Sequence, residues 1–255
     1  MRACIIRVGG TNCDFEVKMV LEDYGINTEI IHMKKLIKTG LEEFDILVIP
    51  GGFSYGDYVR AGAIWGKEIL TKMKKEIEKF IDDGKLIIGI CNGFQVLIEA
   101  GILPDGGISE IPKAVLATNI SAKYECRWVY LRLEKYPNKV LRIPIGHGEG
   151  RFIPLSNDIL MDLIKNNCIL FRYAKPSGEP ANGEYPYNPN GSIYDIAGIC
   201  NKKRNIFGMM PHPERAFFGW QMPDNRSKKY GDGKKIFDMI LNRGEILASH
   251  PLESC

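Results

Sequence analysis

Cys91 stands in Gly89-Ile90-Cys91-Asn92-Gly93, between the apolar run Lys85-Leu-Ile-Ile-Gly-Ile90 and the segment Phe94-Gln-Val-Leu-Ile-Glu-Ala100. The first reads as a buried strand and the second as the start of a helix. A Gly-x-Cys-x-Gly between them has the form of a nucleophile elbow. Such a turn is tight enough that the residues two before and two after the cysteine must lack side chains. It stands the sulfur above the sheet edge, beside the free N–H groups and positive dipole end of the helix, which favour thiolate over thiol. The plainer alternative is a buried structural cysteine, since free cysteine is among the most buried residue types.

A cysteine nucleophile needs a base, and the base needs an orienting group. Of four histidines, His32 ends an apolar strand and His250 lies in the C-terminal tail, which leaves His147 and His212. His212 sits in Pro211-His-Pro-Glu214, where prolines on both sides restrict the backbone and bias it towards extended geometry. An extended chain puts His212 and Glu214 on one side, so the carboxylate can hold one ring nitrogen while the other faces a thiol. The plain reading is a turn with a solvent-facing ion pair. His147-Gly-Glu-Gly-Arg151 is the competitor; its glycines suit close approach of a ligand, and it is assigned to substrate or partner contact, with His147 and Arg151 as the contacting residues. Pro50-Gly51-Gly52-Phe53-Ser54 supplies an electrophilic element, because successive N–H groups unshielded by Cβ atoms can converge on one oxygen. With the Asn92 N–H they would form an oxyanion hole.

The elements that must position these residues alternate strand and helix over the first hundred residues. Strands are expected at Cys4–Val8, Thr28–His32, Asp45–Ile49 and Lys85–Ile90, with helices from about Asp14 and from about Gly66 to Asp82. This rhythm predicts an α/β fold: a mostly parallel central sheet covered by helices on both faces, with ligands bound outside the carboxyl ends of the strands. Cys91 and Gly51-Gly52 both fall at such ends. The second half is strand-rich, with runs at Ala114–Thr118, Arg127–Arg132, Arg142–Ile145, Cys168–Arg172 and Ile193–Ile199, and a closing helix from about Lys234 to Ala248. No linker divides the chain, so a single domain over 1–255 is expected.

Composition narrows the function. The net charge of +3 is small against 34 basic and 31 acidic residues, and no basic run is interleaved with aromatics, so nucleic acid is not an expected partner. No signal-peptide pattern or membrane-length apolar run occurs, and seven scattered cysteines without a Cys-x-x-Cys fit a reduced cytoplasmic protein with no metal site.

Gly89-Ile-Cys-Asn-Gly-Phe-Gln95 with the later Pro211-His-Pro-Glu-Arg215 resembles the class I, triad-type glutamine amidotransferases. Thr11-Asn-Cys-Asp14, Gly51-Gly-Phe-Ser-Tyr-Gly-Asp-Tyr-Val-Arg-Ala-Gly-Ala63, His147-Gly-Glu-Gly-Arg151 and Asn188-Pro-Asn-Gly-Ser192 resemble one branch of them, the glutaminase subunits of phosphoribosylformylglycinamidine synthase in purine biosynthesis. The resemblance implies a flavodoxin-like amidotransferase fold. Cys91 would be the nucleophile, His212 the base and Glu214 its orienter. The backbone of Gly52, Phe53 and Asn92 would form the oxyanion hole, and Gln95 would help bind L-glutamine. The partners implied are a synthetase subunit, which would bind ATP, Mg²⁺ and formylglycinamide ribonucleotide, and a small accessory subunit. The chain itself shows no Gly-x-x-x-x-Gly-Lys and no paired acidic metal motif, so no cofactor is expected in it. The sequence departs from the branch pattern at Val8-Gly9-Gly10, where a proline is expected before the glycine, and over Gly219–Lys229. Two other readings stay open: a glutaminase for a different synthetase, and a redox or chaperone-like protein built on a low-pKa elbow cysteine. The Phe53–Ala61 loop beside the oxyanion hole is a candidate switch ordered by the partner.

Overall fold

The computed structural model describes residues 1–134, 139–224 and 226–242. Its first half runs β1 (Arg2–Arg7), α1 (Asp14–Asp23), β2 (Asn27–His32), α2 (Met33–Thr39), β3 (Ile46–Ile49), α3 (Ala63–Lys72), α4 (Lys74–Asp82), β4 (Leu86–Ile90) and α5 (Asn92–Glu99). The second half runs β5 (Ala114–Thr118), β6 (Glu125–Leu133), β7 (Val140–His147), β8 (Glu149–Pro154), α6 (Asn157–Lys165), β9 (Ile169–Ala174), β10 (Ile196–Cys200), β11 (Ile206–Met209) and α7 (Gly233–Leu241).

One nine-stranded sheet joins both halves, in the order β2-β1-β3-β4-β11-β10-β9-β6-β7. Pairing is parallel from β2 through β11 and antiparallel from β11 to β7. The parallel strands β3 and β4 are buried at every position, as expected where helices cover both faces of a sheet. β5 and β8 form a separate antiparallel pair.

Several elements differ from the sequence reading. The expected helix from Gly66 to Asp82 is two, broken at Met73 (φ −133°, ψ 13°). The apolar stripe continues in phase through the break: Trp65, Ile69, Met73, Ile77, Phe80 and Ile81 are all buried. His32 does serve structure: it closes β2 and its Nδ1 caps α2, a helix the sequence reading missed, by accepting the Lys34 amide (3.2 Å). Ile193–Asp195 is a 3₁₀ turn, and the strand begins only at Ile196. The closing helix is described to Leu241; its expected remainder, with His250 and Cys255, lies outside the described residues.

The β4–α5 turn is where side-chain size is most tightly limited. A Cβ on Gly93 would lie 1.8 Å from the Ile49 carbonyl oxygen, and one on Gly89 would lie 2.6 Å from Leu97 Cδ1 and 2.7 Å from the Gly93 oxygen. Across the sheet, a Cβ on Gly208 of β11 would strike the Phe94 ring at 2.1 Å. Glycine is needed at these positions for room. Gly93→Ala is therefore expected to destabilise the protein by more than about 3 kcal/mol, at or beyond the usual range for overpacking. Gly9→Ala, whose new Cβ meets nothing within 4 Å, is expected to stay within about 0.5 kcal/mol. Urea unfolding of the two variants beside the parent checks both.

Candidate active site

Cys91 closes β4 with φ 51° and ψ −106°, a left-handed conformation that a non-glycine residue adopts only when its surroundings enforce it. The enforcement is visible. The Cys91 amide donates to the Met209 carbonyl (2.7 Å), and the Cys91 carbonyl accepts from the Phe94 and Gln95 amides (3.0 and 3.1 Å). The side chain is buried at the N-terminus of α5, with Sγ 3.5 Å from the Gly146 carbonyl oxygen.

His212 follows β11, its amide donating to the Pro144 carbonyl (2.9 Å). Its Nδ1 lies 2.6 Å from Glu214 Oε1, and both side chains are fully buried. Pro213–Arg215 is a single 3₁₀ turn with proline at its start, so the pair meets across a helical turn and not along the extended chain expected from the sequence. With Nδ1 held by Glu214, Nε2 is the ring nitrogen left free of that carboxylate. Burial alone would lower the His212 pKa, but the charges of Glu214 and Cys91 raise it well above its ordinary value. Gly51 makes the packing possible, because a Cβ there would lie 2.8 Å from His212 Cε1.

The oxyanion donors divide differently from expectation. The Phe53 amide donates to the Gly10 carbonyl (2.9 Å), so it is spent on the neighbouring loop. The Ser54 amide is likewise held by Asn92 Oδ1 (3.2 Å). Gly52, at φ +150° and pressed against Gly10 and Thr11, and the first amide of α5, Asn92, remain as the available pair.

A cavity of about 200 Å³ opens beside Cys91, lined among others by Gly52, Asp57, Gln95, Tyr124, His147 and Glu149. Gln95 accepts from Asn92 Nδ2 (2.9 Å) and donates to the Glu149 carbonyl, which fixes its side chain at the wall. His147 is 3% exposed, and Gly150 gives its ring room: a Cβ there would lie 2.4 Å from the ring. Arg151, on β8 opposite Ala117, is not among the lining residues. A larger groove of about 610 Å³ between α2 and α4 shares no residue with this cavity.

Sequence reasoning missed Cys13, Asp57, Tyr124 and Glu149 as members of the site. Cys13 Sγ lies 3.9 Å from His212 Nδ1, and Tyr124 stacks on Phe53 at the mouth (6.1 Å between ring centroids). Only the resemblance over Thr11–Asp14 pointed towards Cys13. Cys13, His212 and Glu214 place a thiol, an imidazole and a carboxylate within 4.8 Å of one another. The 2.6 Å Nδ1–Oε1 distance is nevertheless that of a hydrogen bond, shorter than the roughly 3 Å or more separating two ligands of a tetrahedral zinc.

Burial, then the charge of His212, pushes the His147 pKa from 6.5 down to about 3. Between those values the unfolded chain binds a proton that the folded one refuses. Stability is therefore expected to fall as pH drops through that window, by up to about 1.4 kcal/mol per pH unit from this group. Unfolding titrations from pH 6.5 to 4 are expected to show a slope shallower by about one proton in His147→Gln than in the parent.

The family model of the CobB/CobQ-like glutamine amidotransferase domain matches residues 1–242. Phosphoribosylformylglycinamidine synthase subunit PurQ of Archaeoglobus fulgidus is 40% identical, over 97% of this chain and 98% of its own. The subunit of the same name from Methanothrix thermoacetophila is 42% identical over 94% and 97%. Among solved structures, a chain of PurLQS from Thermotoga maritima superposes with a TM-score of 0.69 at 35% identity, covering 95% of this chain and 98% of that one. The thiol–imidazole–carboxylate arrangement thus sits in a chain that belongs to the glutamine amidotransferase family, within its PurQ branch.

Proposed function

We propose that this chain, as one amidotransferase domain over 1–255, hydrolyses L-glutamine for phosphoribosylformylglycinamidine synthase and hands the ammonia to the synthetase subunit. The observation that carries the reading is the buried thiol, imidazole and carboxylate in series beside a cavity, with two backbone amides available on the sulfur's side. Near-full-length similarity to PurQ subunits supports the pathway.

In this reading Cys91 Sγ attacks the side-chain carbonyl carbon of glutamine, and the Gly52 and Asn92 amides stabilise the oxyanion that develops. His212, protonated on both nitrogens and steadied by Glu214, gives its Nε2 proton to the departing amide nitrogen. Ammonia leaves and a γ-glutamyl thioester remains on Cys91. Neutral His212 then takes a proton from water, hydroxide attacks the thioester, and glutamate and thiol are restored. The sum is glutamine plus water to glutamate plus ammonia. Gln95 and His147 stand at the wall that holds the substrate.

Ammonia released to bulk water at neutral pH is protonated and lost as a nucleophile, so the site is useful only when docked. The docked partners in this reading are a synthetase, which would bind ATP, Mg²⁺ and formylglycinamide ribonucleotide, and a small accessory subunit; the solved PurLQS complex supports this. Tyr58 and Val59, 89% and 77% exposed at the tip of the Phe53–Ala61 loop, are available for such contact. No helix among the described residues is long and apolar enough to cross a membrane. A cytoplasmic setting is part of the proposal.

Glutamate production by the chain assembled with its synthetase is expected to vanish in Cys91→Ala with the fold retained by circular dichroism. Activity retained in Cys91→Ala would sink the mechanism. Glu214→Gln is expected to lower kcat by about 10²–10⁴-fold, with the glutamine KM changed far less, because it disturbs the base and not the binding wall. Steady-state kinetics separates the two parameters.

A further inference from the structure

Two buried cysteines take no part in the site around Cys91 and yet lie beside each other. Cys168 stands just before β9, and Cys200 is the last residue of β10. The two strands are antiparallel and pair Ile199 with Ile169, so the next rung sets Cys200 opposite Cys168. The Cys200 amide donates to the Cys168 carbonyl (2.8 Å). With standard bond lengths at either end, that hydrogen bond keeps the two Cα atoms within about 6.7 Å, inside the range that a disulfide spans. Opposite residues of an antiparallel pair also share one face of the sheet.

The surroundings are not those of an inert core cysteine. Cys4, buried in β1, is pushed up to about 12 by burial. Cys168 is also buried, yet its thiol is pushed below its ordinary value, first by the Cys200 thiol and then, against burial, by the charges of Arg204 and Lys202. Arg204 is held at this corner by the Asn167 carbonyl (3.1 Å), and Lys202 by Asp162 (2.9 Å). Cys200 is pushed up by the same neighbour and by burial, so the first proton lost is that of Cys168. Cys168 also lines a groove of about 460 Å³, together with Asp162, Leu163 and Lys202, which gives a water-sized oxidant a way to the first thiol. This groove shares no residue with the cavity beside Cys91. Two thiols could instead begin a metal site, but among the described residues no third His, Cys, Asp or Glu ligand stands with them.

We propose that Cys168 and Cys200 are a reversible disulfide pair, closed by peroxide and opened by small thiols, that fastens the β9–β10 connection at its base. The Cys168 thiolate attacks one oxygen of hydrogen peroxide, the O–O bond breaks, and a sulfenic acid forms while hydroxide takes up a proton. Cys200 then attacks the sulfenic sulfur and gives up its proton, the S–O bond breaks, and a second water leaves. Two thiols are oxidised and one peroxide is reduced to two waters. Disulfides inside cells are as a rule transient, so the pair is open under reducing conditions. The connection it closes carries Asn190 and Ser192, which bond the Gly150 carbonyl (2.8 Å) and the Phe152 amide (3.0 Å) of β8. Closing its base braces the strand behind the His147 wall of the cavity.

The test uses the full chain with Cys91→Ala, so that the elbow thiol consumes no oxidant. After mild hydrogen peroxide at neutral pH, tryptic peptides carrying Cys168 and Cys200 are expected joined, and separated again by dithiothreitol. Closing a loop of about 30 residues is expected to raise the thermal midpoint by about 5–15 °C over the reduced protein. Cys200→Ser is expected to lose that rise and to let dimedone trap Cys168 as its sulfenic acid. Both thiols still open to alkylation after peroxide, or each oxidised separately to a sulfinic acid, overturns the pair. A joined pair with an unmoved midpoint overturns its fastening role. The first two readouts need no variant at either cysteine, so they decide the question should Cys200→Ser fail to fold.

Discussion

The backbone of Cys91 is fixed from four sides, and the rest of the site takes its position from that turn. Its amide is tied to Met209 of β11, its carbonyl to the first turn of α5, and Gly93 rests against the Ile49 carbonyl at the end of β3. A left-handed non-glycine residue costs on the order of 1–3 kcal/mol, and it persists here because β3, β4, β11 and α5 each remove a way of relaxing. The same contacts aim the sulfur. Relaxing Cys91 towards ordinary strand geometry would move α5, and with it Gln95, away from the cavity that Gln95 lines.

The two halves of the sheet contribute different chemistry. The parallel strands bring their carboxyl ends to one rim, which sets Gly52 after β3 and Cys91 after β4 side by side, as open parallel sheets do. β11 belongs to the same parallel run although it comes late in the chain, so His212 arrives on that rim beside Cys91. The antiparallel strands then supply the far wall, where the β7–β8 connection carries Gly146, His147, Gly148 and Glu149. Hydrogen bonds from Ser54 to Asn92 and from Ala61 to Glu149 fasten the Phe53–Ala61 loop to both walls. The same loop exposes Tyr58 and Val59.

The elbow and the Pro-His-Pro-Glu segment were legible because each concentrates its requirement in adjacent residue types: glycines where no Cβ fits, prolines where φ is restricted. The parallel half was legible for a related reason, since strands buried on both faces read as unbroken apolar runs. What escaped is long-range or directional. Cys13 meets His212 across 199 positions, and nothing in Asn-Cys-Asp itself separates a site thiol from a core one. Whether the Phe53 amide faces an oxyanion or the Gly10 carbonyl is set by one peptide plane, not by residue identity. The break at Met73 is hidden because the apolar period runs through it, with no proline or glycine to mark it.

The two buried histidines of the site are pushed in opposite directions. His147 and His212 are both buried, so desolvation pushes both towards the neutral form. His212 resists because the charges of Glu214, 2.6 Å from one nitrogen, and of Cys91 favour its protonated form. His147 has only an uncharged amide at its Nδ1, and the charge on His212 pushes its pKa down further. One imidazole thus favours its protonated form near the sulfur. The other is kept neutral. Exchanging their surroundings would leave a neutral ring beside Cys91 and a cation at the cavity wall.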